Sequence, residues 1–226
     1  LTTSNTYTFD PANADLVLEA FERIGKRSNQ LDGNMLRSAA RSANFICSNW
    51  ANLGINLWKV GQTTVPLVQG VSLLTLPISV SQVLTVYLTP SGASDRILYP
   101  FGRDDYMSIP NKTDQAPPNA YWFNRTSTPT LQLWPVPDSG GPYTLTYAAM
   151  LRQMDFGATM AQTADLPYRF LDAFCADLAV ALSVKFAPER LQVLMPLAQK
   201  ALNDARAEDR ELAPISISPD LSSYWN

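Results

Sequence analysis

Apolar positions follow a helical period at both ends of the chain and an alternating one in the middle, which predicts two helical segments enclosing a β-rich one. Asp10-Pro11 is a helix-start signal, and Leu16, Val17, Ala20, Phe21 and Ile24 then share one face. Gly25, followed by Lys26 and Arg27, predicts the stop, because glycine accepts the left-handed C′ position and cations suit the helix C-terminus. A second helix is expected from Asp32, with a seam of Leu36, Ala39, Ala43, Ile46, Trp50 and Leu53 spaced 3, 4, 3, 4, 3, and Gly54 closing it. Arg37 and Arg41 fall on a different face of that helix, one turn apart.

From Asn56 to Asp155 the texture changes. Eleven of the seventeen prolines lie here, and apolar residues come in short runs or in alternation. Leu57–Val60, Val71–Leu76, Val83–Leu88, Ile97–Tyr99, Tyr121–Phe123, Thr130–Trp134 and Tyr143–Tyr147 read as strands separated by Pro, Gly and Asn turn signals. Such a series predicts a small β-sandwich or barrel, with one helical turn at Arg103-Asp-Asp-Tyr106 crossing its end. Met154 to Thr163 reads as a polar linker leading back to helix.

The segment Leu166–Glu189 is the most apolar of the chain. Asp165 is the expected N-cap, Pro167 suits the first turn, and Pro188 stops Ala187 from continuing. Apolar and small residues cover nearly every side between those marks, so the helix should be buried nearly all round. It is long enough to span a bilayer, but Asp172, Asp177 and Lys185 would each cost about 2.5–3.5 kcal/mol at mid-depth. A central helix walled in by other helices, of this subunit or its neighbours, is the better reading. Asp172 and Asp177 stand about 140° apart around the axis, so they cannot act as a pair; polar partners such as Arg37 or Arg41 are expected for them. A last helix follows Pro188, with a seam of Leu191, Leu194, Leu197, Ala198, Ala201, Leu202 and Ala205, and Pro196 should kink or split it.

The fold class is therefore α+β: a four-helix bundle-like helical domain (1–55 and 156–212) interrupted by an inserted antiparallel β-sandwich or barrel (56–155). An extended C-terminal tail (213–226) follows. Its closing Tyr224 and Trp225 are candidate anchors in a partner.

Charge and chemistry narrow the function. The net charge is −3, which gives no basic footprint for nucleic acid. Charged residues make up 16%, against roughly 25% in ordinary soluble domains, which suggests a surface covered by more than water. Histidine is absent, removing the commonest general base and metal ligand. Cys47 and Cys175 sit in apolar helical patterns and read as core thiols. The N-terminus lacks the charged and apolar regions of a signal peptide, so an intracellularly made, soluble protein is expected. Asp95, Asp104, Asp105 and Asp114 lack the spacing of a calcium loop, and no nucleotide, nucleophile-elbow or Cys-x-x-Cys motif occurs; neither a metal nor a cofactor is expected. Tyr121, Trp122, Trp134 and Tyr143 are assigned to the sandwich core, since no basic residues interleave with them to suit base stacking.

Several stretches together resemble one family. They are Trp58 to Leu76, closing on Thr-Leu-Pro; Arg103-Asp-Asp-Tyr-Met-Ser-Ile-Pro-Asn; Pro118-Asn-Ala-Tyr-Trp-Phe-Asn-Arg; Leu131-Gln-Leu-Trp-Pro-Val-Pro-Asp; Leu166-Pro with the long helix after it; and Ala205-Arg-Ala-Glu-Asp-Arg-Glu. In this order they resemble the head-to-tail adaptor (connector, or tubular tail) proteins of short-tailed bacteriophages. The resemblance implies a structural virion protein, made in the bacterial host cytoplasm and placed in the phage neck. It would form a homo-oligomeric ring, dodecameric in such families, that docks beneath the portal protein. The ring would extend the DNA channel and join the capsid to the tail nozzle protein. Genomic double-stranded DNA would pass through it without specific binding. Arg37, Arg41, Val180, Val184, Tyr224 and Trp225 are the candidate subunit or portal contacts. The rival reading is a β-sandwich binding module that recognises a glycan or another viral protein through Trp122 and Trp134. An enzyme using Asp104 or Asp105 is a distant third.

Overall fold

The computed structural model describes residues 3, 5–55, 57–157 and 160–209. Helix α1 (Asn13–Arg23) buries Leu16, Val17, Ala20 and Phe21, as its stripe predicts. It ends where glycine was expected to end it. Gly25 has φ +81°, its N–H donates to Glu22 O at 2.8 Å, and Lys26 N–H donates to Phe21 O at 2.9 Å, the paired bonds of a Schellman stop. Helix α2 (Gly33–Asn52) starts on Asp32, whose Oδ1 accepts from Met35 N–H at 2.7 Å, and stops the same way at Gly54. Its seam buries Ala39, Ala43 and Trp50, but Leu53 at its C-terminal end is half exposed.

Between the helices lie β1 (Val60–Pro66), β2 (Leu73–Thr75), β3 (Val80–Pro90), β4 (Arg96–Ile97), β5 (Tyr99–Pro100), α3 (Arg103–Ser108), β6 (Ala120–Asn124), β7 (Thr130–Trp134) and β8 (Tyr143–Leu151). They form two open four-stranded sheets, ordered β1-β8-β3-β4 and β2-β7-β6-β5, so the barrel alternative is not what forms. The pairing is not antiparallel throughout either: β5 runs parallel to β6. Alternation decides what faces inward. Leu131 and Leu133 of β7 and Tyr121 of β6 join Val86 and Leu88 of β3 and Leu145 and Tyr147 of β8 in one apolar cluster. Strand β1 was missed because it reads Val-Gly-Gln-Thr-Thr-Val-Pro. It is an edge strand held by its ladder to β8 and by polar cross-strand contacts such as Thr64 Oγ1 to Thr146 Oγ1 at 3.0 Å, neither of which needs apolar alternation.

Helix α4 (Leu171–Phe186) returns the chain to the helical part, and α5 (Leu191–Glu208) runs on from it. Each of α1, α2 and α5 packs on α4. Pro196 does not split α5, which runs as one helix through it although the ring has no N–H to donate to Gln192 O. Two expectations about α4 fail. Asp165 is not its cap: a 3-10 turn at Tyr168–Phe170 precedes the helix, and the carboxylate is used elsewhere. Burial is not all round either. Nine of its residues are buried, but Asp172 in the first turn and Val184 and Lys185 in the last are exposed, because the packed neighbours leave the ends of the helix partly uncovered.

Both connections to the β-region are pinned. Lys59 Nζ donates to Asp165 Oδ2 at 2.6 Å, and Met154 N–H donates to the same oxygen at 2.9 Å, so one carboxylate holds the outgoing and the returning chain. Trp58 was expected in a strand. It lies in a 3-10 turn instead and packs on Phe170, with ring centroids 4.6 Å apart. The stretch assigned to a polar linker is also partly core: Phe156 stacks on Phe174 at 4.9 Å, its N–H donates to Asn44 Oδ1, and Met160 is buried with it.

Candidate assembly surface

The charged groups of the helical core are consumed by internal contacts. Asp177 accepts from Trp50 Nε1–H at 2.8 Å; burial pushes its carboxyl above the ordinary range, and the indole N–H partly offsets that. Asp172 pairs with Arg23 Nη2 at 2.7 Å, and the same guanidinium meets Glu19 at 2.8 Å. Neither aspartate meets Arg37 or Arg41, the partners expected from sequence. On α2 it is Ser38 and Ser42 that receive a charge, the Lys185 ammonium, at 3.1 and 2.6 Å. Both cysteines are buried and free, and burial pushes each thiol up to about 12, so neither is a thiolate at neutral pH.

The acidic residues of the β-region are dispersed. Asp105 caps α3 by accepting from Gly102 N–H at 2.9 Å, and Asp95 accepts from Thr89 Oγ1 at 2.6 Å. Among the described residues, no three Cys, Asp or Glu side chains gather as metal ligands would.

The aromatic set divides. Tyr121 and Tyr143 are core residues, with the Tyr143 hydroxyl donating to Asp138 at 2.6 Å and holding that carboxyl below its usual range. Trp122 and Trp134 are on the outer face, against expectation, because neighbouring residues of a strand point to opposite sides. Basic residues do interleave there. Phe101, Tyr106 and Trp122 stack at centroid distances of 6.0 and 5.5 Å, with the Arg103 guanidinium over Trp122 and Lys112 over Tyr106. Trp122 is thereby engaged by both an aromatic ring and a cation of α3.

The outer faces of the helices are another matter. Arg37 and Arg41 are exposed on α2, and neither has an ion pair among the described residues. The next turn on that face carries Phe45, 73% exposed, which continues the i, i+4 series and was passed over. On α4, Val184 is 62% exposed and Val180 is partly buried. Helix α5 adds Val193 and Leu197, the latter expected in the seam but left outside it. Tyr224 and Trp225 lie outside the described residues. No helix among them is long and apolar enough to cross a membrane.

Structurally this is an α+β protein whose polar core groups serve packing and whose helices present unmatched apolar and cationic faces, the layout of an assembly component. The sequence matches the family model of the SU10 adaptor protein over residues 13–218, and the chain belongs to that family. It is accordingly a structural adaptor of the phage head-to-tail connection, a role that associates it with other neck proteins, makes it a virion component and implies no enzymatic activity. No curated protein matches the chain.

Proposed function

We propose that this adaptor assembles as a homo-oligomeric ring, dodecameric as in related connectors, that docks beneath the portal protein, extends the DNA channel and joins the capsid to the tail nozzle. The observation that carries the reading is the set of exposed apolar side chains at regular helical positions: Phe45 on α2, Val184 on α4, and Val193 and Leu197 on α5. A lone chain gains nothing by leaving these in water, whereas neighbours in a ring cover them. In this reading residues 1–55 and 156–212 act as one four-helix bundle-like unit that builds the ring and meets the portal. Residues 56–155 act as an inserted β-sandwich that projects toward the tail, and 213–226 reach a partner through Tyr224 and Trp225. A net charge of −3 suits a channel through which DNA slides unbound, since each phosphate-bound cation would slow it. The chain would be made in the host cytoplasm before joining the neck. Glycan or protein recognition through Trp122 and Trp134 is less well supported, because the Trp122 ring is already stacked on Tyr106 and approached by Arg103.

The test is to mix the full chain with its cognate portal and image the product. A ring stacked coaxially on the portal, helical unit inward, is expected. No association over a range of salt concentrations would overturn the proposal, and the β-unit seated against the portal would overturn the assignment of faces.

A further inference from the structure

A closed ring needs two different faces on each subunit that fit each other, and two such faces are present. The first is the outer side of α2, where Arg37, Arg41 and Phe45 follow one another by a turn each. A 920 Å³ hollow beside them is lined by Leu36, Ala40 and Met160 as well as by both arginines, and among the described residues no carboxylate borders it. The second is a 590 Å³ groove where Thr8–Pro11 passes over α1 and α4. Its floor is apolar, with Leu16, Leu171 and Cys175, and Phe9 lines it from the overlying segment. Its rim carries Asp10, Asp15, Glu19 and Asp172 against the single cation Arg23. Asp15 is engaged with Ala12 N–H, and Arg23 is shared between Glu19 and Asp172, so among the described residues the rim keeps an excess of negative charge.

The two faces also look in different directions. At about 100° per residue, the α4 residues that meet α2 (Phe174, Asp177, Lys185) point roughly 120° away from those that line the groove (Leu171, Asp172, Cys175). Head-to-tail contact between subunits requires that, whereas a two-fold contact would use one face twice.

We infer that the α2 face of one subunit docks into the α1–α4 groove of the next, with Arg37 and Arg41 on the carboxylate rim and Phe45 against the apolar floor. The inference rests on the ring reading and adds which surfaces meet. Unpaired guanidiniums facing surplus carboxylates fix the register, and the phenylalanine supplies apolar burial at its centre. Val180 and Val184 are not in either face, which leaves them for the portal or for packing within the assembled ring.

Charge reversal tests it. R37E/R41E and D10K/E19K should each raise the concentration needed for assembly on the portal by on the order of a hundredfold. The chain carrying all four changes should recover, because the swapped charges again oppose. Unchanged melting temperatures of the free chains separate a lost contact from a lost fold. A second readout is oxidative cross-linking of the full chain assembled on its portal. R41C/D10C should give a ladder of multimers, since Cys47 and Cys175 are buried and stay out of the reaction. A single R41C that cross-links into dimers would overturn the inference in favour of a two-fold contact. So would normal assembly of both reversed variants, or failure of the fourfold variant to recover while the wild type forms rings. A wild-type chain that never assembles would instead bring down the ring reading itself, and this inference with it.

Discussion

Replacing Asp165 with alanine should loosen the attachment of the β-region to the helices. The carboxylate takes the Lys59 ammonium at 2.6 Å and Met154 N–H at 2.9 Å, and the two side chains of the ion pair are 13% and 26% exposed. Breaking a fully buried pair costs about 3–5 kcal/mol and breaking an exposed one about 0–1. This pair is mostly but not wholly shielded, and a backbone donor is stranded with the cation, so about 2–3 kcal/mol is expected. Asp165→Asn keeps an acceptor for Met154 and should lose less. Urea unfolding measures the total, and hydrogen exchange locates it. The amides of β1 and β8 nearest the junction should exchange faster in Asp165→Ala while those of α1 and α2 hold. A double-mutant cycle with Lys59→Met isolates the ion pair from the Met154 contact. A loss below about 0.5 kcal/mol, the level of an ordinary surface substitution, would refute the clamp, as would a uniform change in exchange across the chain.

Trp50 is fully buried, with ring centroids 5.6 and 5.9 Å from Phe170 and Phe174. Trp50→Ala should therefore cost about 3–5 kcal/mol, and a loss under 1 kcal/mol by denaturant melt would show that the hub is not there. Asp177→Asn carries a signed pH dependence. Burial raises the folded-state pKa of Asp177 above its unfolded value, so ionisation penalises the fold above that raised pKa, and the penalty fades as pH falls toward the unfolded value. The variant cannot ionise and its Oδ1 still accepts from Trp50, so its stability relative to wild type should be greatest at neutral pH and shrink in acid. A gap that does not change with pH would contradict the assignment. Val184→Asp, at a position 62% exposed, should leave the unfolding free energy of the free chain within about 0.5 kcal/mol of wild type while impairing assembly. Normal assembly on the portal would show that Val184 is not a contact.

Much of the helical part was legible because local rules and tertiary demands agree there. The α1 stripe, the Asp32 cap and the glycine stops at 25 and 54 each depend on residues within one turn of each other. Strand β7 coincides with its predicted span since its alternation is strict. What escaped depended on distant chain. The aromatic–cation stack of Phe101, Tyr106 and Trp122 with Arg103 and Lys112 brings α3 and its flanking loops onto β6, and no local spacing announces it. Of the proposed contact residues, Arg37 and Arg41 could be placed on an outer face by periodicity alone, and Phe45 belonged to the same series.

By itself, then, the sequence determined the α+β class, the order of helix, strand and helix, and the kind of chemistry the chain is poorly equipped to perform, because composition and short-range period carry that information. Only the tertiary structure decided which partners the carboxylates of this region take. Asp165 became a clamp instead of a cap, and Asp172 and Asp177 found Arg23 and Trp50 instead of Arg37 and Arg41. A carboxylate in an apolar helix must find a donor, but which donor is a matter of which helices meet. The segment Leu166–Glu189 shows the limit most directly. Its composition demanded cover on every side, and the fold provides cover from three helices, leaving Val184 in water.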